Sequence, residues 1–250
     1  MQKRILLVTT LVFSFFNLSA NAKINSEDEN QFIQKTVSVN GFTIPYLVHL
    51  PMGYTATKKW PVILFLHGSG ERGSDGVAPA KVGLGPAILL HPDWFPAIVV
   101  MPQCPNDLRW TSQLSDDESS PWMKEMAMAA LDEASGEYNG DLNRTTLTGV
   151  SLGGEGAWVI GAAYLARFAA LMPIAGRVPT SLAPVLKNKE IWVFHGEKDP
   201  VVPVSFSRNM VAALKQNGAK DLTYTEVPNY GHEVWNIAYA NRKAIQFLIR

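Results

Sequence analysis

A serine between two glycines, in the pattern G-x-S-x-G from Gly149 to Gly153, has the type and spacing of a catalytic nucleophile. Residues 144–150 before Ser151 have the composition of a buried strand, and residues 152–167 after it have that of a helix. A serine at a sharp strand-to-helix turn projects its hydroxyl above the sheet, and flanking glycines remove Cβ atoms that would collide there. The pattern therefore predicts a nucleophile at Ser151, and the alternative is an ordinary serine in a packing turn.

A serine hydroxyl is a weak nucleophile at neutral pH, so it needs a general base and a third group that orients the base. His232 is the predicted base, because it follows the last predicted strand in a loop where Gly231 gives the backbone freedom to reach the sheet edge. The remaining histidines lie within a hairpin, at a helix end or directly before a glycine, where structural roles are favoured: His49, His91, His67 and His195.

The loop after the strand-like segment 190–196 supplies two carboxylates, Glu197 and Asp199. Asp199 is favoured as the acid, because Pro200 stiffens its loop and a side chain beyond the strand end can turn towards His232. The three groups then follow one another along the chain in the order serine, acid, histidine.

Acyl transfer develops a negative oxygen in its tetrahedral intermediate, and this oxygen requires hydrogen-bond donors. One predicted donor is the backbone N–H of Leu152, directly after the serine. The other lies in the glycine-containing turn after the apolar segment 61–66, where Ser69 is favoured over Gly70. Phosphate binding is the alternative for this turn, but the turn lacks the G-K-[ST] sequence of a P-loop and leads directly into no clear helix.

The segments that must position these residues alternate between short apolar runs and helical patterns. This alternation predicts an α/β fold with a mostly parallel central sheet and helices on both faces. Upstream, two strand-like segments flank Asn40-Gly41, which is typical of a type I′ turn and predicts an N-terminal antiparallel hairpin. The predicted helices cover residues 86–90, 121–138, 152–167, 204–216 and 233–249. No internal linker interrupts the pattern, so one catalytic domain is expected over residues 33–250.

The composition is that of a globular protein, with 47% hydrophobic residues and 22 charged residues of each sign. No positive excess is present to neutralise phosphates, so a nucleic-acid partner is not expected.

Residues 1–22 combine a basic start, an apolar run and a small-residue end, which predicts a signal peptide cleaved after Ala22, with residues 23–32 as a linker. A membrane anchor is disfavoured because the apolar run is short and contains polar residues. We therefore expect a periplasmic or secreted protein without a membrane span.

No metal or cofactor is predicted. The H-E-x-x-H pattern of zinc enzymes is incomplete at His232, because Asn236 stands where the second histidine is required. The only cysteine, Cys104, cannot form an internal disulfide and follows an apolar segment. We interpret it as a small core residue rather than as a catalytic thiol.

Taken together, four segments of the chain resemble the α/β-hydrolase superfamily: residues 65–73, 148–158, 195–203 and 229–235. More narrowly, the chain is similar to secreted carboxylesterases related to dienelactone hydrolases, polyhydroxybutyrate depolymerases and feruloyl or acetylxylan esterases, a group often labelled predicted peptidases. The resemblance implies that Ser151, Asp199 and His232 form a catalytic triad. It also implies that the turn at Ser69 contributes to an oxyanion hole. Only residues 177–189 separate two strands where lidded lipases carry a cap, so an α/β-hydrolase fold with an open site is expected.

The chemistry expected of these residues is hydrolysis of a carboxylic ester through an acyl-serine intermediate. The substrate would be a small-molecule ester of a short-chain acid, or an acetyl or feruloyl ester linked to a plant polysaccharide. Trp110 and Trp235 are candidate walls of the substrate pocket, and the alternative for each is a core or rim tryptophan. Two other functions remain open: a serine peptidase of small peptides, and a non-catalytic binding protein on a hydrolase scaffold.

Overall fold

The computed structural model describes residues 31–111 and 122–250. The predicted signal peptide and residues 23–30 of the predicted linker lie outside the described residues. Eight strands form one sheet: β1 (Ile33–Val39), β2 (Phe42–His49), β3 (Trp60–Leu66), β4 (Ile98–Pro102), β5 (Gly140–Val150), β6 (Ala170–Ile174), β7 (Glu190–Gly196) and β8 (Leu222–Val227). Their order across the sheet is β1-β2-β4-β3-β5-β6-β7-β8.

The strand directions confirm the predicted sheet. β1 and β2 form an antiparallel hairpin, β2 is antiparallel to β4, and each of the remaining neighbouring pairs is parallel. The hairpin turns at Asn40 and Gly41, whose φ angles of 52° and 83° are those that a type I′ turn requires. The Asn-Gly dipeptide therefore forms the hairpin turn that the sequence predicts.

Helices cover both faces of the sheet, as expected. The α-helices of the described ranges are α1 (Leu84–Leu90), α2 (Met123–Glu137), α3 (Leu152–Ala163), α4 (Ala183–Leu186), α5 (Ser205–Gln216), α6 (Trp235–Tyr239) and α7 (Arg242–Leu248). One buried cluster packs α2, α3, α4 and α5 against one face, and a second packs α1, α6 and α7 against the other. Residues of β3 alternate between the two clusters, with Leu64 in the first and Phe65 in the second.

The last predicted helix, over residues 233–249, is wrong as a single element. Two helices stand there instead, because Asn241 adopts an extended conformation and its side chain accepts a hydrogen bond from the backbone N–H of Lys243. Asparagine at such a position caps a new helix by satisfying one of its unpaired N–H groups. The hydrophobic pattern runs through both helices and does not reveal this break.

Across the parts of the chain that the structure describes, no helix has both the length and the apolar character needed to cross a membrane.

Helix α3 lies unusually close to the sheet at its first turn. A Cβ on Gly153 would lie 1.8 Å from the carbonyl oxygen of Leu66 at the end of β3, and one on Gly149 would lie 2.3 Å from the carbonyl oxygen of Gly153. Distances this short exclude any side chain at either position. The glycines that suggested a nucleophile turn are therefore required by backbone contact, as predicted.

We expect Gly153→Ala to destabilise the protein by at least about 3 kcal/mol, because the new methyl group collides with rigid backbone on the adjacent strand. Chemical denaturation measures the change. Gly136→Ala is the matched control: Gly136 is exposed in α2, and a Cβ there would meet nothing within 4 Å. That variant should be more stable by about 0.5–1 kcal/mol, since alanine loses less conformational entropy in a helix. Equal effects at the two sites would contradict the role given to Gly153.

Candidate active site

The predicted site residues lie at the carboxyl edge of the sheet. Strand β4 lies on one side of β3 in the sheet, and β5 to β8 follow in order on the other side of β3. The direction in which successive strands are added therefore reverses between β3 and β5. Open α/β sheets bind ligands at such a reversal, beyond the carboxyl ends of the strands. Ser151 follows β5, and the turn at residues 67–73, here called the β3 turn, follows β3.

Ser151 occupies a strained turn between β5 and α3. Its φ of 54° and ψ of −113° are unusual for a residue with a side chain. The backbone N–H of Ser151 donates to the carbonyl oxygen of Ile174 at 2.9 Å, which ties the turn to β6. Strain of this kind persists only where surrounding contacts hold it, and it is concentrated at functional sites.

The structure brings together the three residues that the sequence proposed as nucleophile, base and acid. Nε2 of His232 is 2.8 Å from Oγ of Ser151, and Nδ1 of His232 is 2.7 Å from Oδ2 of Asp199. An ionised carboxylate can only accept, so Nδ1 donates to Asp199, and Nε2 of the neutral ring accepts from the serine hydroxyl. This arrangement can remove the serine proton and stabilise the imidazolium that results.

The acid is held by its own loop. Oδ1 of Asp199 accepts hydrogen bonds from the backbone N–H groups of Val201 at 2.8 Å and Val202 at 2.9 Å, which leaves Oδ2 for His232. The rival carboxylate, Glu197, is exposed and accepts from the backbone N–H of Asn229 instead. Of the two open alternatives, only Asp199 faces the histidine.

The loop that carries His232 bends in a different way from the one expected. Gly231 has no positive φ, whereas Asn229 has a φ of 57°. Asparagine tolerates this conformation because its short polar side chain can hydrogen-bond locally. The glycine that the loop does require is Gly196, where a Cβ would lie 2.1 Å from the carbonyl oxygen of Gly231.

The β3 turn, which contains the predicted donor Ser69, is fixed by buried polar contacts. Nδ1 of His67 is 2.6 Å from the carbonyl oxygen of Gly68, and Nε2 accepts from the backbone N–H of Cys104 at 2.9 Å. His67 is therefore a neutral ring that carries its proton on Nδ1, and burial lowers its pKa to about 4. Arg72 adds a bond from Nε to the carbonyl oxygen of Ser69 at 3.1 Å.

The two predicted oxyanion donors start from neighbouring strands. Leu66, at the end of β3, pairs with Gly149 near the end of β5, so the β3 turn and Ser151 lie side by side. A Cβ built on Gly68 would lie 3.6 Å from Cβ of Ser151. The N–H of Leu152 belongs to the first turn of α3, where N–H groups lack intrahelical partners. The assignment of Ser69 and Leu152 as the donors stays a prediction.

Gln103 is a buried residue that sequence analysis did not identify, and it braces the far end of the β3 turn. Its Oε1 accepts from the backbone N–H of Gly76 at 2.8 Å, while its Nε2 donates to the carbonyl oxygen of Glu71 at 3.1 Å and to Oδ1 of Asp75 at 2.9 Å. These partners lie about thirty positions away in the chain, so no local pattern marks the residue.

An ion pair with a buried carboxylate lies one helical turn from the nucleophile, and sequence analysis did not identify it. Glu155 of α3 is 2.8 Å from Nη2 of Arg109, and its side chain is 3% exposed. Burial raises the pKa of Glu155, and the charge of Arg109 opposes that shift. A single charged residue among the small and apolar residues of α3 was the available signal.

The two candidate tryptophans have different environments. Trp110 is fully buried, its Nε1 donates to the carbonyl oxygen of His67 at 3.0 Å, and it belongs to the core. The expectation that Trp110 lines a substrate pocket is therefore corrected, because none of its surface is open to a ligand. Trp235 is 8% exposed and packs edge-on against the His232 ring, with centroids 5.2 Å apart. Its contact with substrate stays a prediction.

The structure also bears on the cysteine and on possible metal ligands. Cys104 is buried, and burial raises the pKa of its thiol to about 12, which keeps it protonated and unreactive. Within residues 31–111 and 122–250, no group of three or more histidine, cysteine or acidic side chains is arranged to hold a metal ion.

Comparisons with known proteins identify a family. A family model described as "Putative esterase" matches residues 40–221, which is more than half of the chain. Among curated proteins, Esterase LipQ of Mycobacterium tuberculosis is 51% identical over 41 residues, a stretch that covers 16% of this chain and 10% of that protein.

Solved structures give the same fold. A thermostable esterase is 32% identical with a TM-score of 0.80, over 88% of this chain and 62% of that one. A feruloyl esterase module from Clostridium thermocellum, complexed with sinapinate, is 17% identical with a TM-score of 0.65, over 87% of each chain. These matches confirm the predicted α/β-hydrolase fold. The chain spans less than two thirds of the thermostable esterase and about a tenth of the curated relative.

The pKa of His67 predicts a pH dependence of stability. Burial lowers it from 6.5 to about 4, so between these values the unfolded state binds a proton that the native state does not. The contribution of His67 to the free energy of unfolding is therefore fully present above about pH 6.5, where the ring is neutral in both states. It decreases as the pH falls towards 4, because the unfolded state gains a proton that the native state does not. At about 1.36 kcal/mol per pH unit, the free energy of unfolding should fall by about 2 kcal/mol more in the wild type than in His67→Gln between about pH 7.5 and pH 5. Urea denaturation at both pH values measures the two losses, and equal losses would contradict the prediction.

Proposed function

Because the chain belongs to the Esterase family, we propose that it hydrolyses carboxylic esters through an acyl-enzyme formed on Ser151. The observation that carries this proposal is the continuous hydrogen-bonded chain from serine to acid. The distance from Oγ of Ser151 to Nε2 of His232 is 2.8 Å, and that from Nδ1 to Oδ2 of Asp199 is 2.7 Å. The first distance lies within the range that proton transfer to a general base requires, and the second is that of a hydrogen bond that orients the base.

Hydrolysis then follows from the chemistry of these groups. Oγ of Ser151 attacks the ester carbonyl carbon while its proton passes to Nε2 of His232, and the carbonyl oxygen becomes negative. Collapse of the tetrahedral intermediate breaks the bond to the alcohol, which takes the proton from Nε2 as it leaves. Water repeats the sequence on the acyl-serine and releases the acid. Asp199 remains ionised throughout and stabilises the imidazolium.

The negative oxygen requires donors that are already in position. Backbone N–H groups at Leu152 and Ser69 are the proposed donors, since the first follows the nucleophile and the second lies in the β3 turn beside it. The polar network of His67 and Gln103 supports this role, because it holds the β3 turn in one conformation before substrate arrives. A donor that needs no rearrangement contributes most to transition-state stabilisation.

The proposed substrates are small esters and acetyl or feruloyl esters linked to plant polysaccharide. Between β6 and β7 the chain forms only a 3-10 turn and the four-residue helix α4, so no cap covers the site from that segment. A site that this segment leaves uncovered has room on that side for an ester whose alcohol part belongs to a large molecule. Solved structures of the same fold include two proteins called ferulic acid esterases, and their names support the feruloyl part of the proposal.

The proposal places the protein outside the cytoplasm. It rests on residues 1–22, whose sequence has the features of a signal peptide. A serine peptidase is the second candidate function, because the same three groups cleave amides. It is less favoured because the described residues include no propeller or cap that would select small peptides.

The triad is tested by Ser151→Ala, His232→Ala and Asp199→Asn. Each should lower kcat for p-nitrophenyl acetate by a factor on the order of 10³ or more, because the three groups act as a unit. A fluorophosphonate probe should label the wild type and leave Ser151→Ala unlabelled. Glu197→Gln is the matched control, as it neutralises a carboxylate two positions from the acid and should keep kcat within about twofold. Full labelling of a folded Ser151→Ala variant would overturn the assignment of the nucleophile.

Substrate class is tested with methyl ferulate, p-nitrophenyl acetate and a peptide p-nitroanilide. The esters should be hydrolysed with kcat/KM at least about 10²-fold above the peptide, since discrimination on this scale reflects about 3 kcal/mol of transition-state binding. The reverse order would favour the peptidase. A folded wild type that is neither labelled nor active on any of the three would favour a binding protein.

A further inference from the structure

A second histidine, His195, contacts the acid of the proposed triad. It lies at the end of β7, and its side chain is fully buried. Nδ1 is 2.7 Å from Oγ of Ser207 in α5. Nε2 is 2.8 Å from the carbonyl oxygen of Val202 and 3.3 Å from Oδ2 of Asp199. The ring therefore touches the same carboxylate oxygen that His232 contacts.

The partners of His195 define which nitrogen carries its proton. A carbonyl oxygen can only accept, so Nε2 donates to Val202, and Nδ1 of the neutral ring accepts from the hydroxyl of Ser207. Burial lowers the pKa of His195, while the bond to Val202 and the charge of Asp199 oppose the shift. The lowered pKa favours the neutral ring that these partners require.

Few charged groups surround this ring. Asp199 and His232 face it from the site, and Glu226 of β8 lies opposite it in the register of the two strands. Glu226 is paired with Arg208 of α5, so its charge is largely compensated. Among these charged groups, the carboxylate of Asp199 is the one that His195 contacts, at 3.3 Å.

We propose that His195 is a positioning residue that holds the carboxylate of Asp199 in the orientation that His232 requires. It acts on Oδ2 by electrostatic attraction, because the polar Nε2–H group lies with its nitrogen 3.3 Å from that oxygen while its hydrogen bond goes to the carbonyl oxygen of Val202. It acts on Oδ1 indirectly, because it fixes the carbonyl of Val202, whose own N–H holds Oδ1 at 2.9 Å. The inference rests on the proposed function, since it assigns a role within the same triad.

Packing alone does not account for His195. The residues before it in β7, Val193 and Phe194, are buried and apolar, and a further apolar residue would fill the volume without the cost of burying two polar nitrogens. A proton relay does not account for it either. The hydrogen on Nε2 is directed at a carbonyl oxygen, which does not take a proton at neutral pH, so the ring can orient Asp199 but has no route to carry charge away from it.

The test compares His195→Gln with His195→Asn. The amide nitrogen of glutamine stands where Nε2 of histidine does and can still donate to Asp199. That of asparagine stands where Nδ1 does, next to Ser207, and is too short to reach the carboxylate. The two variants therefore have similar polarity and differ in the contacts made at the Nε2 position, which are those with Asp199 and with the carbonyl oxygen of Val202.

We expect His195→Asn to lower kcat for p-nitrophenyl acetate by about 10- to 10²-fold with little change in KM, because misplaced catalytic groups lose rate rather than binding. The acid limb of the kcat/KM profile should move to lower pH, because a carboxylate turned away from His232 stabilises its protonated form less. His195→Gln should keep the wild-type acid limb and recover most of kcat. Ser207→Ala measures the structural cost of altering this pocket, and its acid limb should stay in place.

Three results would overturn the inference: a wild-type kcat and profile in His195→Asn, a loss of kcat with an unmoved acid limb, or a loss in His195→Gln as large as in His195→Asn. If His195→Asn does not fold, a displaced acid limb in His195→Gln overturns the inference and an unmoved one supports it. Failure of the proposed function looks different. In that case the wild type has no esterase activity, or Ser151→Ala and His232→Ala keep the wild-type activity. When only the role of His195 is wrong, the wild type is active and both of those variants lose activity as predicted.

Discussion

The close approach of helix α3 to the sheet is the constraint on which the site depends. Its first turn lies against the ends of β3, β5 and β6, at distances that leave no room for a Cβ on Gly149, Gly153 or Gly154. This contact forces the backbone at Ser151 into its positive φ and lifts the hydroxyl above the sheet. It also sets the β3 turn beside the nucleophile, since β3 is the immediate neighbour of β5. One packing contact thus positions the nucleophile and the proposed oxyanion donors together.

The rest of the site is assembled by buried polar groups that have complete sets of partners. His67 uses both ring nitrogens to fix the β3 turn, and His195 uses both of its own around Asp199. Each ring has a lowered pKa through burial, so each remains neutral and keeps one defined tautomer. Of the three histidines of the site, His232 is the one that is partly exposed, with a side chain that is 16% exposed. The three histidines therefore have distinct roles because their burial and partners differ.

The fold was largely predictable because its signals are local. Asn40-Gly41 specifies the hairpin turn, continuous apolar runs mark strands covered on both faces, and the glycines around Ser151 mark a tight strand-to-helix turn. The break at Asn241 was not predictable from periodicity, because the apolar positions of α6 and α7 continue across it. There a side-chain cap decides where one helix ends and the next begins.

By itself, the sequence determined the order of the elements, the nucleophile turn and a short choice of partners for it, because turn chemistry and hydrophobic period act over a few residues. Tertiary structure alone decided which carboxylate faces His232, since Glu197 and Asp199 differ by the direction in which their shared loop leaves β7. It also decided that Trp110 belongs to the core and that Gln103 and His195 brace the site. These outcomes depend on contacts between residues distant in the chain or on the path of a loop, and such contacts exist only once the sheet has formed.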